Sequence, residues 1–265
     1  MSRTPHQWWT ELTGEGRVWS LRHPVEQARH LAHAVRVHRT RRRADALVAQ
    51  VLTGWDREDF IERFRPYWDP FPTKRAPKYL DLDFFMRDSA QRCFALGLFD
   101  DGRPKRILDL GCGPAYFLSL CRSLGHEVLG MDLDDEPIYN ELIDFQGIPR
   151  IVHPVTPGSP LPPLDGQFDI VSAFGVTFNF VSGSKGWSWS AEDWARALDG
   201  FLGVVAPGGK IVIHFNRDPR SGQLYPSGLR RRLDRRPEID VRFFGEHLVI
   251  ERTGLADAGP DRAVR

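Results

Sequence analysis

Three residues near the middle of the chain, Gly111, Gly113 and Asp132, have types and spacing suited to holding a nucleotide. Asp109, Gly111, Cys112 and Gly113 stand in the run Ile107-Leu108-Asp109-Leu110-Gly111-Cys112-Gly113-Pro114-Ala115-Tyr116-Phe117, and Asp132 comes later. A Cβ at Gly111 or Gly113 would hold a ligand off the backbone. An acid about 20 residues beyond the first glycine stands where a carboxylate accepts hydrogen bonds from the 2′- and 3′-hydroxyls of a ribose. Cys112 reads as a small packing residue, with a reactive thiol as the second reading.

These residues need a frame. Ile107 to Leu110 is an apolar run that predicts a buried strand. Phe117, Leu118, Leu120, Cys121 and Leu124 have helical spacing and end at Gly125. Glu127 to Asp132 reads as a second strand. Strand, glycine turn and helix would bring bare backbone N–H groups and a helix N-terminus to the ligand. The nucleotide is constrained by what is missing. The NAD fingerprint has a third glycine where Tyr116 stands, and no Gly-Lys-Ser/Thr follows to make a P-loop.

The stretch Ile107 to Gly113, followed by Asp132, resembles the first motif of class I S-adenosylmethionine-dependent methyltransferases. Pro114-Ala115 replaces a glycine that many members carry. Phe168-Asp169-Ile170-Val171 leading to Phe174-Gly175-Val176 resembles that family's fourth motif. Pro207-Gly208-Gly209-Lys210 before the apolar run to Asn216, with Val205 in place of a leucine, is similar to its later tail. The resemblance covers Lys105 to Asn216, and Pro77 to Asn216 is also similar to a group of bacterial methyltransferases of unnamed substrate.

The resemblance implies S-adenosyl-L-methionine as cofactor, held by Asp109, Gly111, Cys112, Gly113, Asp132 and Leu133. It places Val155 or Thr156 near the adenine and Phe174 beside the sulfonium, with Thr177 and Asn179 as walls of the acceptor pocket. It implies in-line methyl transfer, in which the protein aligns the acceptor and excludes water. His153, His214 and Asp218 stand at or just past the ends of predicted strands, where sites of such sheets collect, and are the candidate general bases. Each also reads as an ordinary structural group. No metal is expected.

The expected fold is α/β: a doubly wound, mostly parallel Rossmann-like sheet closed by an antiparallel hairpin, with an N-terminal helical extension. Residues 1–100 form the extension or lid, 101–256 the methyltransferase core and 257–265 a frayed tail. In the extension a helical stripe runs from Val25 to Val51 with Gly54 as its stop, and Asp56 caps a helix over Arg57 to Phe64. Pro66 to Pro72 breaks regular structure, and Leu80 to Leu96 predicts another helix. In the core, helices are expected over Glu136 to Phe145 and from Ser190 to Val205, the latter ended by Pro207-Gly208-Gly209. Strands are expected at Arg150 to His153, Phe168 to Phe174, Lys210 to Asn216, Asp240 to Phe244 and His247 to Glu251.

With 265 residues, 41% of them hydrophobic, the chain can bury a substantial core. A formal net charge of +1 argues against a protein that coats nucleic acid generally. Two local basic runs, Arg36 to Arg43 and Arg230 to Arg236, read first as solvated faces and second as anion-binding surfaces. Cys93, Cys112 and Cys121 lack metal-ligand spacing and suggest reduced thiols, hence a cytoplasmic protein. No apolar run approaches the roughly 20 residues of a membrane helix. The acceptor expected is a small-molecule or saccharide hydroxyl or amine. The alternatives are an RNA methyltransferase, an NAD-type oxidoreductase and a noncatalytic adenosyl-binding scaffold.

Overall fold

The computed structural model describes residues 40–68, 76–99, 102–156, 160–176, 189–218 and 222–253. The expectations for 1–39, for 69–75, for Thr177 and Asn179 and for the tail 257–265 lie outside the described residues. The chain divides into two compact units, Met1–Gly102 and Arg103–Arg265.

In the first unit, a helix at 40–53 (α1) precedes α2, Arg57–Phe64, and α3, Leu82–Ala95. Single tight helical turns lie between α2 and α3, at Arg65–Trp68 and Ala76–Leu80. The apolar stripe of α1 is buried at Leu47, Val48 and Val51. Asp56 caps α2 as expected, its side chain accepting from the amides of Glu58 and Asp59. Phe60 and Phe64 pack one turn apart, with ring centroids at 4.7 Å. Arg87 of α3 binds Asp83, one turn earlier, and Asp45 of α1. Part of the first basic run is structural. Arg43 donates to the Phe99 carbonyl at 2.6 Å and stacks over its ring, and Arg41, Arg42 and Arg43 are all exposed.

The second unit is built on a seven-stranded sheet of order β3-β2-β1-β4-β5-β7-β6. The strands are β1 Arg106–Leu110, β2 Glu127–Asp132, β3 Arg150–Val152, β4 Phe168–Phe174, β5 Val205–His214, β6 Ile239–Phe244 and β7 His247–Arg252. The first five run parallel, and β7 pairs antiparallel with both β5 and β6. The helices are α4 Tyr116–Ser123, α5 Pro137–Gln146, α6 Ala191–Val204 and α7 Leu229–Leu233. The mostly parallel sheet with an antiparallel closing hairpin is thus present. β1 is buried at every position from Ile107 to Leu110, as a central parallel strand covered on both faces must be. Trp194, Leu198 and Phe201 of α6 pack with Val171, Ile211 and Ile213 in one core.

The boundary between α6 and β5 differs from expectation. Ser190 and Asp193 form the expected capping box at the start of α6. The helix ends at Val204, however, and Val205 already belongs to β5, paired with Phe168. The register then jumps, so that Ile170 faces Lys210. Pro207-Gly208-Gly209 therefore bulges out of the strand instead of ending the helix. A Cβ on Gly209 would stand 2.9 Å from the carbonyl oxygens of Ala206 and Asp169, so the bulge folds tightly against β4.

The second basic run lies on and after α7. Arg232 pairs with Glu192 at 2.6 Å, Arg236 pairs with Asp199 and Glu238, and Arg230 lies over the Phe243 ring. These three arginines brace α7 on its neighbours, although Arg230 and Arg232 are exposed, as Arg231 and Arg235 are. Among the described residues, no helix is long and apolar enough to cross a membrane.

Candidate functional site

The order β3-β2-β1-β4 means that successive connections depart to opposite sides of β1. The crevice above the C-terminal ends of β1 and β4 is where a ligand enters such a sheet. Asp109 and the glycine turn stand at the end of β1, Phe174 at the end of β4 and Asp132 at the end of the neighbouring β2.

The turn itself differs from expectation. Its amides are not bare. Gly111 and Cys112 donate to the Met131 carbonyl at 2.7 and 3.3 Å, and Gly113 donates to Asp132 Oδ2 at 2.6 Å. The chain leaves β1 in register with β2, Leu110 facing Met131, and folds back over the end of that strand. The N-terminus of α4 has no side-chain cap, its N-cap residue being Ala115.

The two glycines serve different ends. Gly111 has φ +68°, and a Cβ there would meet the Val176 side chain at 2.6 Å. Its glycine is required by packing within the protein. Gly113 has φ +52°, and a Cβ there would meet nothing closer than the Tyr139 ring at 4.0 Å, so this side of the turn is open. A third glycine is not evident from the motif. A Cβ on Gly130 of β2 would stand 2.7 Å from the Cys112 sulfur. Its signal in the sequence is an isolated glycine within a strand pattern.

Cys112 is thereby a packing residue. Burial, then the nearby carboxylates of Asp109 and Asp132, push its thiol well above the ordinary range, which keeps it protonated and poorly nucleophilic. Cys93 and Cys121 are fully buried. All three thiols are therefore expected to resist iodoacetamide in the folded protein at mildly alkaline pH and to be alkylated on unfolding, as mass spectrometry would register.

Asp109 is buried and accepts from Ser172 Oγ of β4 at 2.7 Å, tying β1 to β4 beneath the turn. Asp132 is bound by two amides, Gly113 on Oδ2 and Leu133 on Oδ1 at 2.8 Å. Burial raises its pKa above the ordinary 3.8, while these amides and Arg150 oppose the shift. The buried Gln146 of α5, to which no sequence motif points, donates to the Pro114 carbonyl at 2.7 Å and so anchors the turn from the far side. Leu133 and Val152, at the ends of the neighbouring strands β2 and β3, are 41% and 51% exposed. Val155 is partly buried against the core and Thr156 is exposed. Phe174 meets Phe117 of α4 edge to face, with centroids 5.1 Å apart.

The candidate bases are not gathered in one place. His153 follows β3, and His214 ends β5, four strand positions away in the sheet, or about 19 Å at roughly 4.8 Å per strand. The His153 amide donates to the Asp132 carbonyl, and its Nε2 is buried without a hydrogen-bond partner. Asp218 lies in a turn closed by backbone bonds to Gly222 and Gln223. His214 has company that the sequence does not reveal. Its Nε2 lies 3.4 Å from Glu246 Oε2, Arg217 reaches the other Glu246 oxygen, and the His247 ring stacks at 4.6 Å. In the sequence, Glu246 and His247 read only as the corner of a hairpin. Among the described residues, no group of three or more His, Cys, Asp or Glu side chains could hold a metal ion.

Residues 80–238 match a family model described as a methyltransferase domain. No curated protein matches the chain significantly. Among solved structures, Streptomyces venezuelae DesVI aligns with a TM-score of 0.50 at 11% identity, over 69% of this chain and 100% of that one. An O-methyltransferase family protein from Burkholderia thailandensis aligns with a TM-score of 0.39 at 16% identity, over 65% of this chain and 59% of that one. The chain thus spans less than two thirds of that protein's length. The glycopeptide N-methyltransferase MtfA, complexed with S-adenosyl-L-methionine, aligns with a TM-score of 0.42 at 13% identity, over 63% and 93% of the two chains. Of these three, the likeness to DesVI speaks to the fold.

Proposed function

The chain belongs to the methyltransferase-domain family, and on that premise we propose that it moves the methyl group of S-adenosylmethionine onto a hydroxyl or amine of a small molecule or saccharide. The observation that carries the reading is Asp132, held at the end of β2 by the Gly113 and Leu133 amides beside the crevice where the sheet order reverses. Each carboxylate oxygen binds one amide and keeps a lone pair for a ribose hydroxyl.

The remaining residues fit the same cofactor. The uncapped N-terminus of α4 suits its carboxylate. Leu133 and Val152, with Val155 and Thr156 in the following loop, supply apolar and small surface for an adenine. Phe174 and Phe117 border the reacting end, and Asp109 and Cys112 support the turn from below. When bound, the cofactor supplies a methyl group on a sulfonium, whose departure needs no protein acid. The chain's own work is to orient the acceptor, exclude water and take a proton.

For the proton, His214 is the best placed of the three candidates. It lies beside Phe174 in the β4–β5 register, and Glu246 accepts from its Nε2–H. That bond selects the tautomer with the lone pair on Nδ1, the atom that would receive a proton from the acceptor. His153 stands on the adenosyl side of the sheet, and Asp218 lies beyond the end of β5, where its backbone bonds Gly222 and Gln223. Thr177 and Asn179 remain proposed walls of the acceptor pocket. The internal pairing of Arg43, Arg232 and Arg236 weighs against the RNA alternative.

An acceptor screen tests the proposal. Purified chain and S-adenosylmethionine are incubated with amino- and hydroxyl-bearing saccharides, small metabolites or bulk RNA, and S-adenosylhomocysteine release is followed. Turnover is expected with a saccharide or small molecule and is expected to be lost in His214→Ala. Turnover with RNA alone would overturn the acceptor class.

A further inference from the structure

The contact of Asp132 and Leu133 with the cofactor belongs to the proposed function, and the role of Arg150 argued from it rests on that reading. The corner that Asp132 and Leu133 form is held from outside their own strand. Arg150, the first residue of β3, donates through one terminal nitrogen to the Leu133 carbonyl at 3.1 Å and to Asn140 Oδ1 at 2.6 Å. Asn140, on α5, donates its own side-chain amide to the Asp134 carbonyl at 3.0 Å. Two successive carbonyls beyond Asp132 are therefore each held by one side chain, and those side chains hold each other. Leu133 and Asp134 are exposed, so little apolar burial fixes this corner.

We propose that Arg150 is a positioning residue for the cofactor, which with Asn140 fixes the Asp132–Asp134 corner and places a guanidinium charge beside the carboxylate that receives the ribose. A guanidinium presents several donors in a planar fork and stays charged at all working pH, so it can bind two acceptors and still act as a permanent charge. The charges acting on Asp132 come from several elements. Arg150 on β3 favours its ionised form and Asp135 in the following loop disfavours it. Cys112 in the glycine turn feels the Asp132 charge and stays protonated. Arg150 is the cation that opposes the burial of Asp132, a position that its sequence context, the start of a short strand, does not suggest.

The full-length chain is titrated calorimetrically with S-adenosylhomocysteine from about pH 4 to about pH 8, spanning the carboxylate range. Wild type, Arg150→Leu, Arg150→Lys and Asn140→Ala are compared, with thermal unfolding of each as a check. Arg150→Leu is expected to weaken binding about tenfold, the scale of one lost charge-assisted bond. It is also expected to move the low-pH limb of the affinity profile to higher pH, because Asp132 then needs less acid to protonate. Arg150→Lys restores the limb and part of the affinity. Asn140→Ala frees Asp134, weakens binding and leaves the limb in place, a result that holds even if Arg150→Leu fails to fold. Wild-type affinity in folded Arg150→Leu, or weaker binding with an unmoved limb there, overturns the inference while leaving the cofactor reading intact. If Arg150→Leu does not fold, wild-type affinity in Asn140→Ala overturns it. Absence of wild-type binding at every pH overturns both together.

Discussion

Replacing Asp132 by alanine is expected to weaken binding of S-adenosylhomocysteine by about 100-fold or more. A hydrogen bond to a charged group contributes about 1.5–3 kcal/mol, and the carboxylate offers one to each ribose hydroxyl. Two such bonds exceed the roughly 2.8 kcal/mol that separates affinities by 100-fold. The loss is compounded because the Gly113 and Leu133 amides lose their acceptor, which loosens the turn as well as the corner beyond it. Asp132→Asn keeps one oxygen acceptor without the charge and should fall between the two. Calorimetry gives the affinities, and thermal unfolding separates them from any loss of folded protein.

Asp132 also couples affinity and stability to pH with opposite signs. Burial lifts its folded pKa above the ordinary 3.8, so between those two values the folded chain holds a proton that the unfolded chain has released. The contribution of this group to stability is therefore fullest below 3.8 and declines as pH rises through the folded value. Cofactor affinity rises over the same window, because the ionised form accepts from both hydroxyls. Affinity measured alongside unfolding free energy across that window should show the two trends crossing.

Gly111→Ala is the substitution expected to cost the most stability. A left-handed backbone costs a non-glycine residue about 1–2 kcal/mol. Forcing a methyl group to within 2.6 Å of Val176 Cγ2 adds an overpacking cost, typically about 1–3 kcal/mol. The sum, about 2–5 kcal/mol, is a large share of the roughly 5–15 kcal/mol that holds a typical domain folded. Urea unfolding of the single variants and of Gly111→Ala with Val176→Ala separates the terms. The double variant should recover the steric part and keep the backbone part, leaving a favourable coupling between the two sites. A single-variant loss well under about 1 kcal/mol would contradict the tight approach of Gly111 to Val176.

The frame of this site is largely legible in the sequence. β2 and β4 have the limits expected, because each is an apolar run that follows a turn, at Gly125-His126 and at Asp165-Gly166. The capped starts of α2 and α6 are equally local signals. What the sequence hides is long-range. The apolar stripe of α6 continues in phase to Val205, so only the pairing with Phe168 shows that this residue is strand. Glu246 reaches His214 because the β5–β7 register sets His214 opposite His247, and no local pattern fixes that register. Gln146 reaches the glycine turn at Pro114 and Arg150 reaches the Leu133 carbonyl from other elements, contacts that sequence spacing does not reveal. The amides of the glycine turn look bare in the sequence for the same reason, since their acceptors lie on β2.

The central claim, that this crevice holds an adenosyl cofactor through Asp132, is tested most directly by calorimetric titration of the wild-type chain with S-adenosylhomocysteine and, in parallel, with NADH. The expected result is micromolar binding of S-adenosylhomocysteine, no binding of NADH and loss of the signal in Asp132→Ala. Binding of NADH instead, or of neither ligand, would contradict the claim.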